Sequence, residues 1–112
     1  MNKQWQPYAS HILDTIGKLR RIQARGDLMQ DEVLYDAALR NLQTLSEATQ
    51  HLPEDLKQQH PGIPWKQISG FRNILVNQYL GEIDPQTVRQ VVEQHLTPLE
   101  DAIQSMLTGL GE

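Results

Sequence analysis

Residues 70–84 read GFRNILVNQYLGEID. As a helix, this stretch would have two unlike faces, and this division of its side chains decides the fold. At about 100° per residue, Phe71, Ile74 and Leu75 form one apolar stripe. The opposite arc of about 160° holds a mixed set of side chains: Arg72, Asn73, Val76, Asn77, Tyr79 and Leu80. A solvent-exposed face would be expected to carry Lys and Glu, so this face is predicted to be a contact surface.

The flanking sequence predicts three more helices. Apolar residues recur at helical spacing on both sides of the quoted stretch. The four predicted helices cover about Pro7–Arg25, Met29–His51, Pro64–Leu80 and Asp84–Leu107. Pro98 should kink the fourth. Because short connections make neighbouring amphipathic helices antiparallel, we predict an all-α fold, an up-down antiparallel four-helix bundle in one domain covering residues 1–112.

Local signals refine these boundaries. Asp27 and Asp31 offer acceptors near the start of the second helix, and Pro53 could start a short extra turn. The prolines between His60 and Pro64 require a loop. Gly70, inside the third helix, is expected to be compensated by close approach of a neighbouring backbone.

Composition excludes several classes of protein. The chain has 112 residues, a net charge of −4 and no cysteine, so it has no disulfide or thiolate site. It shows no membrane span or signal peptide, and a cytoplasmic location is expected, with neither membrane nor DNA as a partner. Any RNA contact needs a local basic patch. One candidate lies at the end of the first helix, where the cations could equally complement the helix dipole: Lys18, Arg20, Arg21 and Arg25.

The motif RNILVNQY over residues 72–79, after IPWKQISG over residues 63–70, resembles the signature of the HepT-like ribonuclease toxins of the HEPN superfamily. That motif is Arg, four to six residues, His, one residue, Tyr. Arg72 and Tyr79 match it, whereas Asn77 stands where the family has His. Further similar blocks occur in family order at residues 36–42, 46–48, 52–54 and 60–65. The resemblance implies a helical bundle and RNA cleavage by two protomers.

The resemblance assigns roles to the motif residues. Arg72 would stabilise the phosphorane, since a guanidinium matches phosphate oxygens. Asn73 could orient residue 77, bind phosphate, or make an interface hydrogen bond. Asn77 has no useful proton equilibrium near pH 7, so the chain should be a poor nuclease; the asparagine is either a deliberate replacement or a natural degeneration. Glu47 could hold Arg72 in place or face solvent.

Tyr79 carries a second implication of the resemblance. In related systems a minimal nucleotidyltransferase, the antitoxin, uses ATP to attach AMP to the motif tyrosine, which would block RNA by charge and bulk. The expected partners are therefore RNA, a second copy of this chain and a cognate antitoxin. Neither a cofactor nor a metal is expected for this chain.

The alternative is a binding module, a HEPN-like bundle that has lost catalysis and binds nucleotide or protein. Two other features are interpreted as structural. The histidines show no metal-ligand spacing: His11, His51, His60 and His95. Trp65 is interpreted as a core anchor of the third helix in preference to a base-stacking platform.

Overall fold

The computed structural model describes residues 4–70 and 85–109, and every regular element in these two ranges is an α-helix. The helical elements are α1 (Gln6–Arg25), α2 (Glu32–Thr49), α3 (Glu54–Gln58), α4 (residues 65–70), α5 (Pro85–Gln94) and α6 (Leu96–Gly109). The predicted all-α class is confirmed. The predicted continuation of the third helix to Leu80 lies outside the described residues.

α1 covers almost the predicted range. Pro7 lies in its first turn, where the missing N–H costs no hydrogen bond. The helix ends at Arg25, and the amide of Gly26 donates to the carbonyl of Gln23 at 3.4 Å. Its buried stripe contributes the centre of the core: Ala9, Ile12, Thr15, Ile16 and Leu19.

α2 begins at Glu32, three residues later than predicted, because Asp31 caps it. The Asp31 carboxylate accepts from the amides of Val33 at 2.9 Å and Leu34 at 3.3 Å. Asp27 accepts from the amide of Met29 at 2.9 Å, which fixes a turn before the helix. Both predicted acceptors are therefore used, one in the cap and one in the turn.

The predicted loop around residues 60–64 separates two short helical segments. The short turn predicted after Pro53 is α3. The indole N–H of Trp65 donates to the carbonyls of Lys57 at 3.0 Å and His60 at 3.1 Å, and this closes the loop against α3. Trp65 packs against the core, which confirms its interpretation as an anchor.

The predicted fourth helix is divided at His95 into α5 and α6. Pro98 has no N–H for the carbonyl of Gln94, and its ring crowds that carbonyl. The amide of His95 still donates to Val91 at 3.0 Å, and that of Leu99 to His95 at 3.3 Å. The kink predicted near Pro98 is therefore confirmed, and it lies one turn before the proline.

The long helices pack antiparallel around α1. The rings of Tyr8 and His51 stack at 4.1 Å, which places the first turn of α1 beside the end of α2. Arg20, near the end of α1, forms an ion pair with Glu100 at 2.8 Å, near the start of α6. Among the helices that the structure describes, none is both long and apolar enough to cross a bilayer.

Candidate functional site

The motif side chains Arg72, Asn73, Asn77 and Tyr79 lie outside the described residues, so the predicted catalytic arrangement stays a prediction. The structure does place the segment that leads into them, because α4 ends its described range at Gly70, two residues before Arg72. Glu47 is exposed on α2. Its predicted pairing with Arg72 also falls outside the described residues.

A hydroxyl pair joins the end of α2 to α4. The fully buried Thr49 hydroxyl donates to the carbonyl of Ser46 at 2.6 Å and lies 3.0 Å from the hydroxyl of Ser69. Thr49 has one hydroxyl proton, so Ser69 donates in the second bond. The side-chain amide of Gln50 also donates to the Ser69 carbonyl at 3.1 Å. The end of α2 therefore fixes the backbone three residues before Arg72.

The Thr49→Val substitution is expected to lower the free energy of unfolding by about 1–3 kcal/mol, because it leaves the half-buried Ser69 hydroxyl without this partner. The matched control is Thr44→Val, since the half-buried Thr44 hydroxyl makes only a local bond to the Asn41 carbonyl at 3.0 Å. Urea denaturation at fixed protein concentration measures both. Equal losses in the two variants would contradict a linking role for Thr49.

A polar cavity of about 360 Å³ opens beside this junction and is called here the α3–α4 pocket. Its lining combines two lysines, one carboxylate, one amide, one indole and the last described residues of α4: Gln50, Glu54, Lys57, Trp65, Lys66, Ser69 and Gly70. Such a mixture of cations and hydrogen-bonding groups suits an anionic polar ligand. The pocket is the part of the candidate site that the structure describes directly.

Sequence reasoning missed Lys57 and Lys66. The signal for Lys66 was its position six residues before Arg72 on the same predicted helix. Lys57 gave no signal, because it comes to the pocket only when Trp65 folds back onto α3 through its hydrogen bond to the Lys57 carbonyl.

No described residue makes the close approach predicted at Gly70. A β-carbon built on Gly70 would meet none of their atoms within 4 Å, so they supply no close backbone approach. Gly70 instead borders the α3–α4 pocket. No atom of the described residues fills the space in front of it.

The other face of α4 borders an apolar cavity of about 210 Å³ between α2, α5 and α6. Ile68 and Gln67 line it from α4, and Leu45 and Leu99 are among the side chains opposite. α4 therefore separates a polar pocket from an apolar one.

The basic patch on α1 is divided by an ion pair. Arg20 donates to the Glu100 carboxylate at 2.8 Å and to the Thr97 hydroxyl at 2.9 Å, so it ties α1 to α6. Lys18, Arg21 and Arg25 are exposed. For these three residues, both roles predicted from the sequence stay open: complementing the dipole of α1, or contacting RNA phosphates.

A second surface arginine also has a structural partner. Arg89 on α5 donates to Glu93 at 3.0 Å and lies 3.9 Å from Asp27 in the turn before α2. The hydrogen bond to Glu93, and then the negative charge of Asp27, raise the pKa of the Arg89 guanidinium above its ordinary value. Arg89 therefore stays charged and links α5 to the turn. Within residues 4–70 and 85–109, no three His, Asp or Glu side chains come together as a possible metal site.

Comparison with known proteins identifies the class to which this fold and motif belong. Residues 11–106 match the HepT-like family, described as "Ribonuclease HepT-like". The chain belongs to this ribonuclease family of the HEPN superfamily. The matched range includes the motif over residues 72–79 and the whole lining of the α3–α4 pocket.

Individual relatives carry the same description. A protein of Caldanaerobacter subterraneus subsp. tengcongensis named "Putative RNase" is 29% identical over 106 residues, which cover 91% of this chain and 93% of that protein. The "Probable ribonuclease HepT" of Thermococcus cleftensis is 28% identical over 80 residues, 71% of this chain and 72% of its own length.

A third relative is longer than this chain. It is the "Gamma-glutamylcyclotransferase and putative RNase" of Methanocaldococcus jannaschii, 27% identical over 113 residues. The match covers 98% of this chain but 50% of that protein. No solved structure matches the chain at a significant level.

Proposed function

We propose that this chain is the toxin of a toxin–antitoxin pair, a metal-independent endoribonuclease that is catalytically impaired by Asn77. One observation carries the proposal: Arg72, Asn77 and Tyr79 occupy the positions of the Arg-x4-His-x-Tyr signature within the range that matches a ribonuclease family. The names of the relatives from Caldanaerobacter and Thermococcus support the ribonuclease class. The absence of cysteine suits the cytoplasmic location that we include in the proposal.

The proposed chemistry follows from residue types. Cleavage needs activation of a ribose 2′-hydroxyl, stabilisation of a phosphorane and protonation of the leaving oxygen. Arg72 supplies the second function through its fixed positive charge and planar fork. A histidine at position 77 would supply proton transfer, which Asn77 cannot. On the predicted third helix, Asn73 would lie one turn before Asn77, where it would orient residue 77 or bind phosphate.

Glu47 is proposed to position Arg72. Glu47 precedes Gln50 by one turn of α2, and Arg72 follows Ser69 by three positions. Gln50 donates to the Ser69 carbonyl at 3.1 Å. If the third helix runs antiparallel to α2, as the bundle topology predicts, one turn back on α2 lies opposite one turn forward on the motif helix.

Two protomers are proposed to form the RNA-cleaving cleft. Val76 and Leu80 lie among the polar residues of the predicted contact face, and an apolar residue in such a face favours a protein partner. A monomer in light scattering at micromolar concentration would contradict the dimer. No cofactor is assigned to this chain, because the ATP in the proposed regulation is consumed by the antitoxin.

The antitoxin is proposed to be a minimal nucleotidyltransferase that modifies Tyr79. Incubation of this chain with the cognate enzyme and ATP is expected to add one or more AMP units, detected by intact-mass spectrometry. The Tyr79→Phe variant, which lacks only the acceptor hydroxyl, should stay unmodified. The half-exposed Tyr8 offers the matched control, because Tyr8→Phe should be modified to the same extent as the parent chain. Modification that persists in Tyr79→Phe would contradict this assignment.

Asn77 itself favours a second candidate function. A HEPN-like bundle that has lost its histidine would serve as a nucleotide-binding or protein-interaction module. The experiment that separates the two functions compares cleavage of total cellular RNA, without added metal, by this chain and by its Asn77→His variant. Cleavage by the variant supports the ribonuclease; none by a folded, dimeric variant supports the binding module.

A further inference from the structure

The side chain of Lys57 is largely buried, and no described residue forms an ion pair with it. Its exposed fraction is 8%, whereas lysines are almost never buried unless they are paired. No ion pair or side-chain hydrogen bond of Lys57 occurs among the described residues. Glu54 lines the same pocket but forms no ion pair with it there. Among the described residues, no side chain neutralises the charge of Lys57.

The ammonium group of Lys57 is open to solvent. Among residues 4–70 and 85–109, every buried side-chain nitrogen or oxygen of a residue that is not exposed has a hydrogen-bond partner. Since Lys57 has no such partner, its nitrogen must reach solvent. Lys57 lines the α3–α4 pocket. The buried stem and open head are the arrangement by which a lysine presents its charge at the end of an apolar side chain.

We propose that the α3–α4 pocket binds a backbone phosphate of the RNA substrate. Lys57 and the exposed Lys66 supply two positive charges against one negative charge from Glu54, so the pocket is cationic. No described residue fills the space in front of Gly70 at the edge of the pocket, where a nucleic-acid backbone could approach.

The position of the pocket links it to the proposed active site. Lys66 precedes Arg72 by six positions, which would be about 9 Å along the axis if the third helix continues to Leu80 as the sequence predicts. A phosphate held by Lys57 and Lys66 would therefore lie within a few nucleotides of the one held by Arg72. This inference rests on the proposed ribonuclease function and adds a substrate-positioning subsite to it.

The test measures binding of a short, fluorescently labelled single-stranded RNA to the full chain over a series of salt concentrations. The chain with Asn77 suits it, because its impaired cleavage leaves the RNA intact. Lys57→Gln and Lys66→Gln are each expected to weaken binding about tenfold. The logarithm of the association constant falls linearly with the logarithm of the salt concentration. Each variant should also make this slope less steep by about 0.7, the value for one phosphate of a single strand. Arg40→Gln is the control and should change neither quantity as much, because Arg40 is exposed on α2 outside both the pocket and the basic patch of α1.

Several results would overturn the subsite. Slopes equal to that of the parent chain in both pocket variants would do so, as would an equal loss in Arg40→Gln. Because Lys57 is buried, circular dichroism must show that Lys57→Gln is folded; if it is not, Lys66→Gln decides the result alone. Tight binding of inorganic phosphate that does not compete with RNA would assign the pocket to a free anion instead.

The two proposals fail in different ways. If Asn77→His cleaves RNA while the lysine variants keep the salt slope of the parent, the ribonuclease proposal is supported and the subsite proposal is contradicted. If Asn77→His does not cleave RNA but the lysine variants bind RNA more weakly and with a smaller salt dependence, the pocket binds RNA and the ribonuclease proposal is contradicted. Absence of any RNA binding at low salt overturns both.

Discussion

Asn77→His is expected to raise the rate of RNA cleavage by about 10²–10⁴-fold, the usual contribution of a general acid or base. An amide can orient a hydroxyl but cannot exchange a proton near neutral pH, whereas an imidazole can. The gain should depend on pH. As the pH falls well below about 6.5, the imidazole becomes protonated and can no longer act as a base, so the rate of a base-limited reaction should fall.

Two variants make this experiment specific. Asn77→Gln keeps an amide at the position and should give no gain. The double variant Asn77→His with Arg72→Ala should lose the cleavage, since the phosphorane then lacks its cation. Cleavage that survives the removal of Arg72, or that appears equally in the Asn77→Gln variant, would indicate a contaminating nuclease or a different site.

Ile103→Ala is expected to reduce the free energy of unfolding by about 2–5 kcal/mol, which is a large part of the stability of a small domain. Ile103 has an exposed fraction of 0% in α6, which packs along α1. Removing three carbons there leaves a cavity that the surrounding helices fill only in part. Urea denaturation followed by circular dichroism measures the loss.

The control for the core substitution is Val33→Ala. Val33 is 75% exposed near the start of α2, so its truncation should change stability by about 0.5 kcal/mol or less. Ile103→Val should fall between the two, at about 0.5–1.5 kcal/mol. All three need the same protein concentration, because a dimer links stability to concentration. A loss in Ile103→Ala no larger than that in Val33→Ala would contradict the placement of α6 in the core.

The sequence allowed the helical class and most helix positions to be predicted, since apolar spacing and capping residues are local signals. The start of α2 was misplaced because Met29 fits the apolar pattern, whereas the Asp31 cap decides the boundary. The break at His95 could be located only approximately. A proline predicts that one helical turn is disturbed, but the packing of the two halves of the helix decides at which residue the helix breaks.

The candidate site could be predicted in one part and not in another. The motif of Arg72, Asn77 and Tyr79 is defined by residue identity and spacing, so it can be recognised in the sequence alone. The α3–α4 pocket depends on the loop closure at Trp65 and on the Thr49–Ser69 bond, which joins residues 20 positions apart. Such contacts leave no periodic signal. The surroundings of Gly70 are of the same kind, because only the fold shows what lies in front of a glycine.

The stacking of Tyr8 on His51 has a practical consequence for engineering the chain. It places the beginning of α1 at the end of the bundle that carries the junction of α2 with α4, and the antiparallel α6 returns to the same end. A label attached to an exposed residue in the first turn of α1 would therefore lie at the same end of the bundle as the α3–α4 pocket. A basic label there would add its own attraction for RNA, so an uncharged label is the appropriate choice for binding experiments.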